Sequence, residues 1–476
     1  MGFCVTSAGA VCATYAQSVS ISPAFTMASA TAVLRTCLSA SGLNRIIRKR
    51  FDEVPDARRR GSIQFTLSDT LMAALAMFQF KSPSLLQFEK SVREAQDTTL
   101  IGNLKRLFWI SSVPCDTQMR SILDQVSPAA LRRAFRGVHS AIQRGRMLED
   151  FKVFDDKLVV SIDGTGLFSS SSIHCPQCGV KKRKKGKDEY YHQLLAAVIV
   201  SPHLKTVLPL DFEPIIRSDG DTKDCCERNA AKRLIPSIAR QYAKRNLIIV
   251  EDALAANGPH VKLLREHNMD FVIGVKPAGS ASLFAALDER QRQANGGIQE
   301  FELTDHKGVV RGCRFGNDLP INASHPDVRV NLMEFWEVDA KGAKREWSWI
   351  TSLTITRENA FEIAAVGRSR WGIENQVFNT LKNQGYHLEH NYGHGKKFLS
   401  STLAGLMLLA FLSDQVQEYA CPLFKAARAQ TRIKTNLWAK MQTYLQDVDV
   451  PDWETLWRLI AKLGPKLVIA DASGSG

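Results

Sequence analysis

The stretch Leu247-Ile-Ile-Val-Glu-Asp252, followed by Asn257-Gly-Pro259 and then Phe271-Val-Ile-Gly-Val275, decides the fold. Leu247 to Val250 is a continuous apolar run, the pattern of a strand covered on both faces. Asn257-Gly258-Pro259 opens a helix, and Pro259 suits the first helical position because its missing N–H would have no partner there. Phe271 to Val275 is a second strand. Strand, helix, strand predicts a parallel pair joined by a helical crossover, the core of an α/β sheet. Upstream, Leu158-Val-Val-Ser-Ile-Asp163 and His192 to Pro202 read as two more strands.

Asp163 and Asp252 both stand where apolar strands end, and ligands of open α/β sheets gather at the carboxyl ends of strands. A third acid, Glu374, lies in Arg368-Ser-Arg-Trp-Gly-Ile-Glu-Asn-Gln-Val-Phe-Asn-Thr-Leu-Lys382. Read as a helix, this stretch places Ile373, Val377 and Leu381 at four-residue spacing, with Trp371 and Phe378 broadening the stripe. Glu374 sits at the stripe's edge, one turn after Arg370, so it is either an i, i+4 ion pair or a carboxylate held for chemistry. Taken singly, an Asp after a strand is a cap or turn residue. Together, three scattered acids can share one metal site. Magnesium takes hard oxygen ligands, and two ions about 3.5–4 Å apart can activate a nucleophile and stabilise a leaving oxygen in phosphoryl transfer.

Ser161-Ile-Asp-Gly-Thr165, Val250-Glu-Asp-Ala-Leu254 and Arg370-Trp-Gly-Ile-Glu374, in that order with a β-rich insertion before the last, resemble the catalytic blocks of bacterial insertion-sequence transposases of the DDE type. The resemblance spans about residues 158–415. It implies a ribonuclease H-like α/β fold, a mixed sheet with flanking helices interrupted by a β-rich insertion. It further implies Asp163, Asp252 and Glu374 as the triad for two Mg²⁺ or Mn²⁺ ions. Its partners would be double-stranded DNA, both the element's terminal repeats and the target, bound by a homodimer in the bacterial cytoplasm at the nucleoid. In one large group of these enzymes the last block reads Tyr-x2-Arg-x3-Glu-x6-Lys. The present sequence keeps Arg370 and Glu374, has Gly367 in the Tyr position, and carries Lys382 one residue late, about 100° around a regular helix. Arg370 and Lys382 are the DNA contacts this block implies. Two other readings remain: a structure-specific nuclease with the same triad, and a catalytically inactive, zinc-clipped DNA-binding protein.

The whole chain, 476 residues with a formal net charge of +14, is long enough for several structural units and favours a polyanionic partner, nucleic acid ahead of membrane lipid. Its ten cysteines follow no disulfide spacing, which fits a reducing cytoplasm. The expected organisation is a disordered or mis-started leader (1–40, with Met27 available as an internal start) and a helical, DNA-binding domain (41–150). The first part of the catalytic core (151–279), a β-rich insertion (280–354), the second part of the core with Glu374 (355–415) and C-terminal helices (416–476) follow. Within the helical part Ser68 is the expected N-cap, and Arg132, Arg133, Arg136, Arg144 and Arg146 form either a DNA-binding or a merely solvated basic face. The apolar run from Phe398 to Leu412 is shorter than the ~20 residues of a membrane span and reads as a buried helix.

His174-Cys-Pro-Gln-Cys178 is either two partly buried thiols in a loop or half of a zinc site, which His192, Cys225 and Cys226 are available to complete as a structural clip. The run Lys181-Lys-Arg-Lys-Lys185 beside it, through Lys182, Arg183, Lys184 and Lys185, suits phosphate contact near Asp163. The acidic and basic patch from Asp219 to Arg233 could flank the same site, though most of it reads as an exposed helix start. His387, His390 and His394 are close enough for a transition metal, but Gly393 and Gly395 break the helix that would align them, which favours contacts to DNA or to the Glu374 helix. Trp336, Trp347 and Trp349, at strand spacing, either pack in a core or stack on an unpaired base.

Overall fold

The computed structural model describes residues 37–94, 99–154, 156–220, 223–293 and 296–464, without the side chains of residues 62 and 223–225. The leader therefore lies, up to residue 36, outside the described residues, and so does the side chain of Cys225.

The chain begins with helices α1 (Ala40–Asp52), α2 (Leu67–Gln79), α3 (Leu85–Glu94), α4 (Thr99–Phe108), α5 (Asp116–Leu123) and α6 (Pro128–Arg144). All thirteen residues of α2 are buried, so it is a core helix without a solvent face. Its cap is Thr66, whose hydroxyl accepts the Asp69 N–H at 3.0 Å. Ser68, the expected cap, is instead inside the helix and donates to the Asp52 carboxylate. Arg132 is drawn inward, bonding Asp211 at 2.9 Å and Glu213 at 2.6 Å. Arg133, Arg136, Arg144 and Arg146 stay exposed.

A single sheet then runs through the molecule. Its strands are β1 (Lys152–Val153), β2 (Lys157–Ser170), β3 (Gly179–Lys181), β4 (Glu189–Val200), β5 (Leu208–Ile215), β6 (Asn246–Glu251), β7 (Asp270–Gly274), β8 (Gln299–Thr304), β9 (Val310–Pro320), β10 (Arg329–Val338) and β11 (Lys344–Thr351). β2, β4 and β5 are successive antiparallel neighbours, while β6 lies parallel to β2 and β7 parallel to β6. Helix α7 (Lys223–Gln241) precedes β6, and α8 (Gly258–Glu266) makes the crossover from β6 to β7. Asn257 caps α8, accepting the His260 N–H at 3.1 Å. After α9 (Ala281–Arg292), strands β8 to β11 form an antiparallel meander. The meander is hydrogen-bonded into the sheet, with Ile350 of β11 opposite Ile273 of β7. The result is a ribonuclease H-like mixed sheet with flanking helices, a β-rich insertion and a helical N-terminal part.

The chain returns to the sheet through α10 (Ala360–Ser369), a π-helical turn (Ile373–Phe378) and α11 (Asn379–Asn383). Helix α12 (Leu399–Ala420) follows, then α13 (Pro422–Thr431), α14 (Lys434–Asp447) and α15 (Trp453–Ile460). α12 is the one described helix long and apolar enough to cross a membrane, yet its apolar window is 94% buried against the rest of the protein. It packs on α2, α6 and β5, joining the helical part to the sheet.

Candidate active site

The parallel register of β2 and β6 sets Ser161 opposite Val250. Two residues further along each strand direction stand Asp163 and Asp252, which the two-residue side-chain period brings to the same face. Asp252 is exposed and its carboxylate accepts the Leu254 N–H at 2.9 Å, capping the turn after β6. Its neighbour Glu251 points the other way and is held at 2.6 Å by buried His260 of α8. Burial disfavours the His260 cation, but the charge and hydrogen bond of Glu251 outweigh it and raise the imidazole's pKa. Of the two acids, Asp252 is therefore the one open to a ligand.

Glu374 arrives on the segment between α10 and α11, over the face of β2 that carries Ser161 and Asp163. The Ser161 hydroxyl donates to the Arg370 carbonyl at 3.2 Å, fastening the Glu374 segment to β2. The Arg370 guanidinium then lies 3.2 Å from Asp163 and 2.7 Å from Glu374, one nitrogen serving both carboxylates. Arg370 thus makes the expected i, i+4 pair and a second, long-range one. Burial raises the pKa of Asp163 to about 7; Arg370 and the Gly164 N–H oppose the rise, and the nearby charges of Glu374 and Asp252 add to it. Burial is the main cause of the rise, and the charges of Glu374 and Asp252 are the smaller contributions.

The helix carrying Glu374 is not regular. From Ile373 to Phe378 it widens into a π turn, with the Asn379 N–H bonded to the Glu374 carbonyl five residues back. Such turns hold one extra residue and recur at functional sites. Ile373, Val377, Phe378 and Leu381 are buried as expected, but Trp371 is 42% exposed and packs edge-on against Trp347, centroids 6.5 Å apart. The stripe is narrower than the sequence suggested because Trp371 belongs to the wall of a cleft. That cleft, about 900 Å³, is lined by Asp252, Arg370, Trp336, Trp347 and Trp371. Trp349 is buried, and a Cβ on Gly367 would fall 2.5 Å from its indole. Gly367 is thus where an aromatic from β11 occupies the space beside the helix.

The remaining residues fall into place around this centre. Lys182 and Arg183 lie at the tip of the β3–β4 hairpin, paired with Asp188 at 2.6 Å and Glu189 at 2.5 Å, while Lys184 and Lys185 are exposed. Lys382 pairs with Glu389 at 2.8 Å, and Glu389 lines the same groove as Lys182. Glu227 of α7, from the patch that could flank this site, lines a small crevice with Asp163 and Asp252. Arg228 and Lys232 of that patch are exposed on α7, while Arg233 is bound to Glu213 at 2.7 Å and to Asp219 at 2.5 Å. Cys175, Cys178 and His192 do converge, and the fourth side chain beside them is His394, which arrives from the segment after α11.

The family described as Transposase DDE domain matches this chain over residues 155–412, from the start of β2 to the middle of α12. No curated protein matches it. The matched region contains Asp163, Asp252, Glu374 and the sheet that brings the first two together. It covers more than half of the chain, and the protein belongs to the DDE-type insertion-sequence transposases, enzymes that act on DNA and use divalent metal ions.

Proposed function

We propose that this transposase cleaves DNA at the ends of its element and joins the released 3′ hydroxyls to target DNA, with Asp163, Asp252 and Glu374 as its catalytic triad. The observation that carries this reading is the meeting of three acids from three separate elements over the central strands β2 and β6, with Arg370 bonded to two of them. Their donor set, hard carboxylate oxygens only, fits Mg²⁺ or Mn²⁺. A guanidinium bridging Asp163 and Glu374 holds positive charge where cations would be favoured. Two bound ions supply an activated nucleophile and a neutralised leaving oxygen. Asp163 and Asp252 would hold both ions between them and Glu374 one, while Arg370 fixes the direction of Glu374.

Phosphate contact falls to Lys382 and to the hairpin residues Lys182, Arg183, Lys184 and Lys185. The π turn supports the assignment of Lys382: by taking up one residue, it offsets the one-residue lateness of this lysine after Glu374. The groove that Lys182 and Glu389 share gives a duplex a path alongside β2 beyond Asp163. Trp371, 42% exposed, lines the cleft beside Asp252 together with Trp336 and Trp347, an aromatic wall suited to an unpaired base. Joining two ends in one event calls for two protomers on DNA. The test is incubation of the full chain with fragments carrying the element's terminal repeats, a supercoiled target and Mg²⁺. End fragments joined to target support transposition; nicked ends without joining would identify a nuclease.

A further inference from the structure

The Cys175 and Cys178 sulfurs lie 3.6 Å apart, and each is 3.3 Å from Nε2 of His192. Nδ1 of His394 is 3.3 Å from Cys178, and all four side chains are buried. A tetrahedral zinc ion with bonds of about 2.3 Å to sulfur and about 2.0–2.1 Å to nitrogen requires edges of about 3.8 Å between sulfurs and about 3.6 Å between sulfur and nitrogen. These four distances are already within a few tenths of an ångström of those figures, and all four donor atoms lie within 4.8 Å of one another. The Cys175–Cys178 turn is tied by the Cys178 N–H to the Cys175 carbonyl at 3.2 Å, and the Cys175 N–H reaches the Cys178 sulfur at 3.3 Å.

His394 is delivered to this place by the backbone on either side of it. Gly393 and Gly395 have φ of 132° and 69°, a left-handed path that L side chains rarely take. Asp124 of the helical part then accepts the N–H groups of Lys396, Lys397, Phe398 and Leu399 at 2.9 to 3.0 Å, anchoring the segment at the start of α12. Phe168 of β2 packs against both imidazoles, with centroids 5.5 Å from His192 and 4.7 Å from His394.

We propose that Cys175, Cys178, His192 and His394 bind a structural Zn²⁺ that fastens the excursion between β2 and β4, with its basic hairpin, to the segment following the catalytic Glu374 helix. Two thiolates and two imidazoles are the donors zinc selects, and with every position supplied by protein none is left for a reacting water. The ion is therefore separate from the carboxylate centre, which offers only oxygen donors. Its effect is on shape: β2 carries Asp163, and the clip joins the far end of β2 to the chain that leaves Glu374.

The test is the metal content of the purified full chain, and its absorption after replacement of zinc by Co²⁺. One Zn²⁺ per chain, with the thiolate charge-transfer and intense visible bands of tetrahedral cobalt, is expected for wild type and equally for Asp163→Ala. Failure of the catalytic reading therefore leaves this result unaffected. His394→Ala should weaken zinc binding on the order of 100-fold or more and change the cobalt spectrum, whereas Cys225→Ser should retain both zinc and spectrum. A wild-type chain free of zinc and without cobalt–thiolate bands would overturn the proposal, whether or not the variants fold. So would an unchanged cobalt spectrum in His394→Ala, or its loss in Cys225→Ser, which would make Cys225 the ligand instead.

Discussion

Asp163 is the residue whose environment says most about the site. Its carboxyl titrates near pH 7 because burial and two neighbouring acids disfavour its charge more than Arg370 favours it. The folded protein therefore binds more protons than the unfolded chain between about pH 4 and 7, so this group's contribution to stability falls as pH rises through that window. In chelator, Asp163→Asn should raise stability by on the order of 1–3 kcal/mol at pH 8 and by much less at pH 5. Thermal melts at the two pH values check this, and an equal effect at both would show that Asp163 ionises normally. Asp252 at the end of an apolar strand and Glu374 at the edge of a helical stripe follow local patterns in the sequence, whereas Asp163, expected at a strand end, lies midway along β2, which continues to Ser170. Which of Glu251 and Asp252 faces the ligand rests on the resemblance until His260 is seen to engage Glu251.

At the scale of the element, the Glu374 helix combines a readable pattern with features that only packing creates. The apolar spacing identified a helix, but the π turn within it and the exposure of Trp371 depend on the β-rich insertion packing alongside. Gly367 shows the same dependence, since its place is filled by Trp349 from β11. Replacing a helical glycine by alanine gains about 1 kcal/mol from propensity, but overpacking a filled core costs about 1–3 kcal/mol. With a Cβ 2.5 Å from a buried indole, Gly367→Ala should lower stability by about 1–2 kcal/mol net. Urea unfolding measures it; a more stable variant would mean that Trp349 moves aside easily. His394 is named in the sequence among three closely spaced histidines, but its partners are not legible there for a related reason. Gly393 and Gly395 were read as breaking a helix, whereas their left-handed conformations carry His394 to thiols more than 200 residues away in sequence.

For the molecule as a whole, charge and sheet act together. The strand–helix–strand reading fixed the parallel pair β6–β7; Asp252 lines the tryptophan cleft beside the sheet, and the basic hairpin lies along β2 beyond Asp163. The fate of the basic residues was not legible, because composition does not show which arginines are drawn into internal ion pairs, as Arg132 and Arg233 are. Lys182, Lys184 and Lys185 remain on the surface. Changing all three to alanine should weaken DNA binding to a similar degree on every sequence and flatten its salt dependence by about 2–3 in the slope of log K against log salt. Titration at several salt concentrations checks this, and an unchanged slope would place the DNA elsewhere. The central claim is tested most directly by cleavage and strand joining at the element's own ends with Mg²⁺ or Mn²⁺, comparing wild type with Asp163→Ala, Asp252→Ala and Glu374→Ala. The account predicts joined products from wild type and a loss on the order of 10³-fold or more in each variant, a fall of at least about 4 kcal/mol in transition-state stabilisation, with DNA binding retained. Joining that survives the loss of any one of the three acids would contradict it.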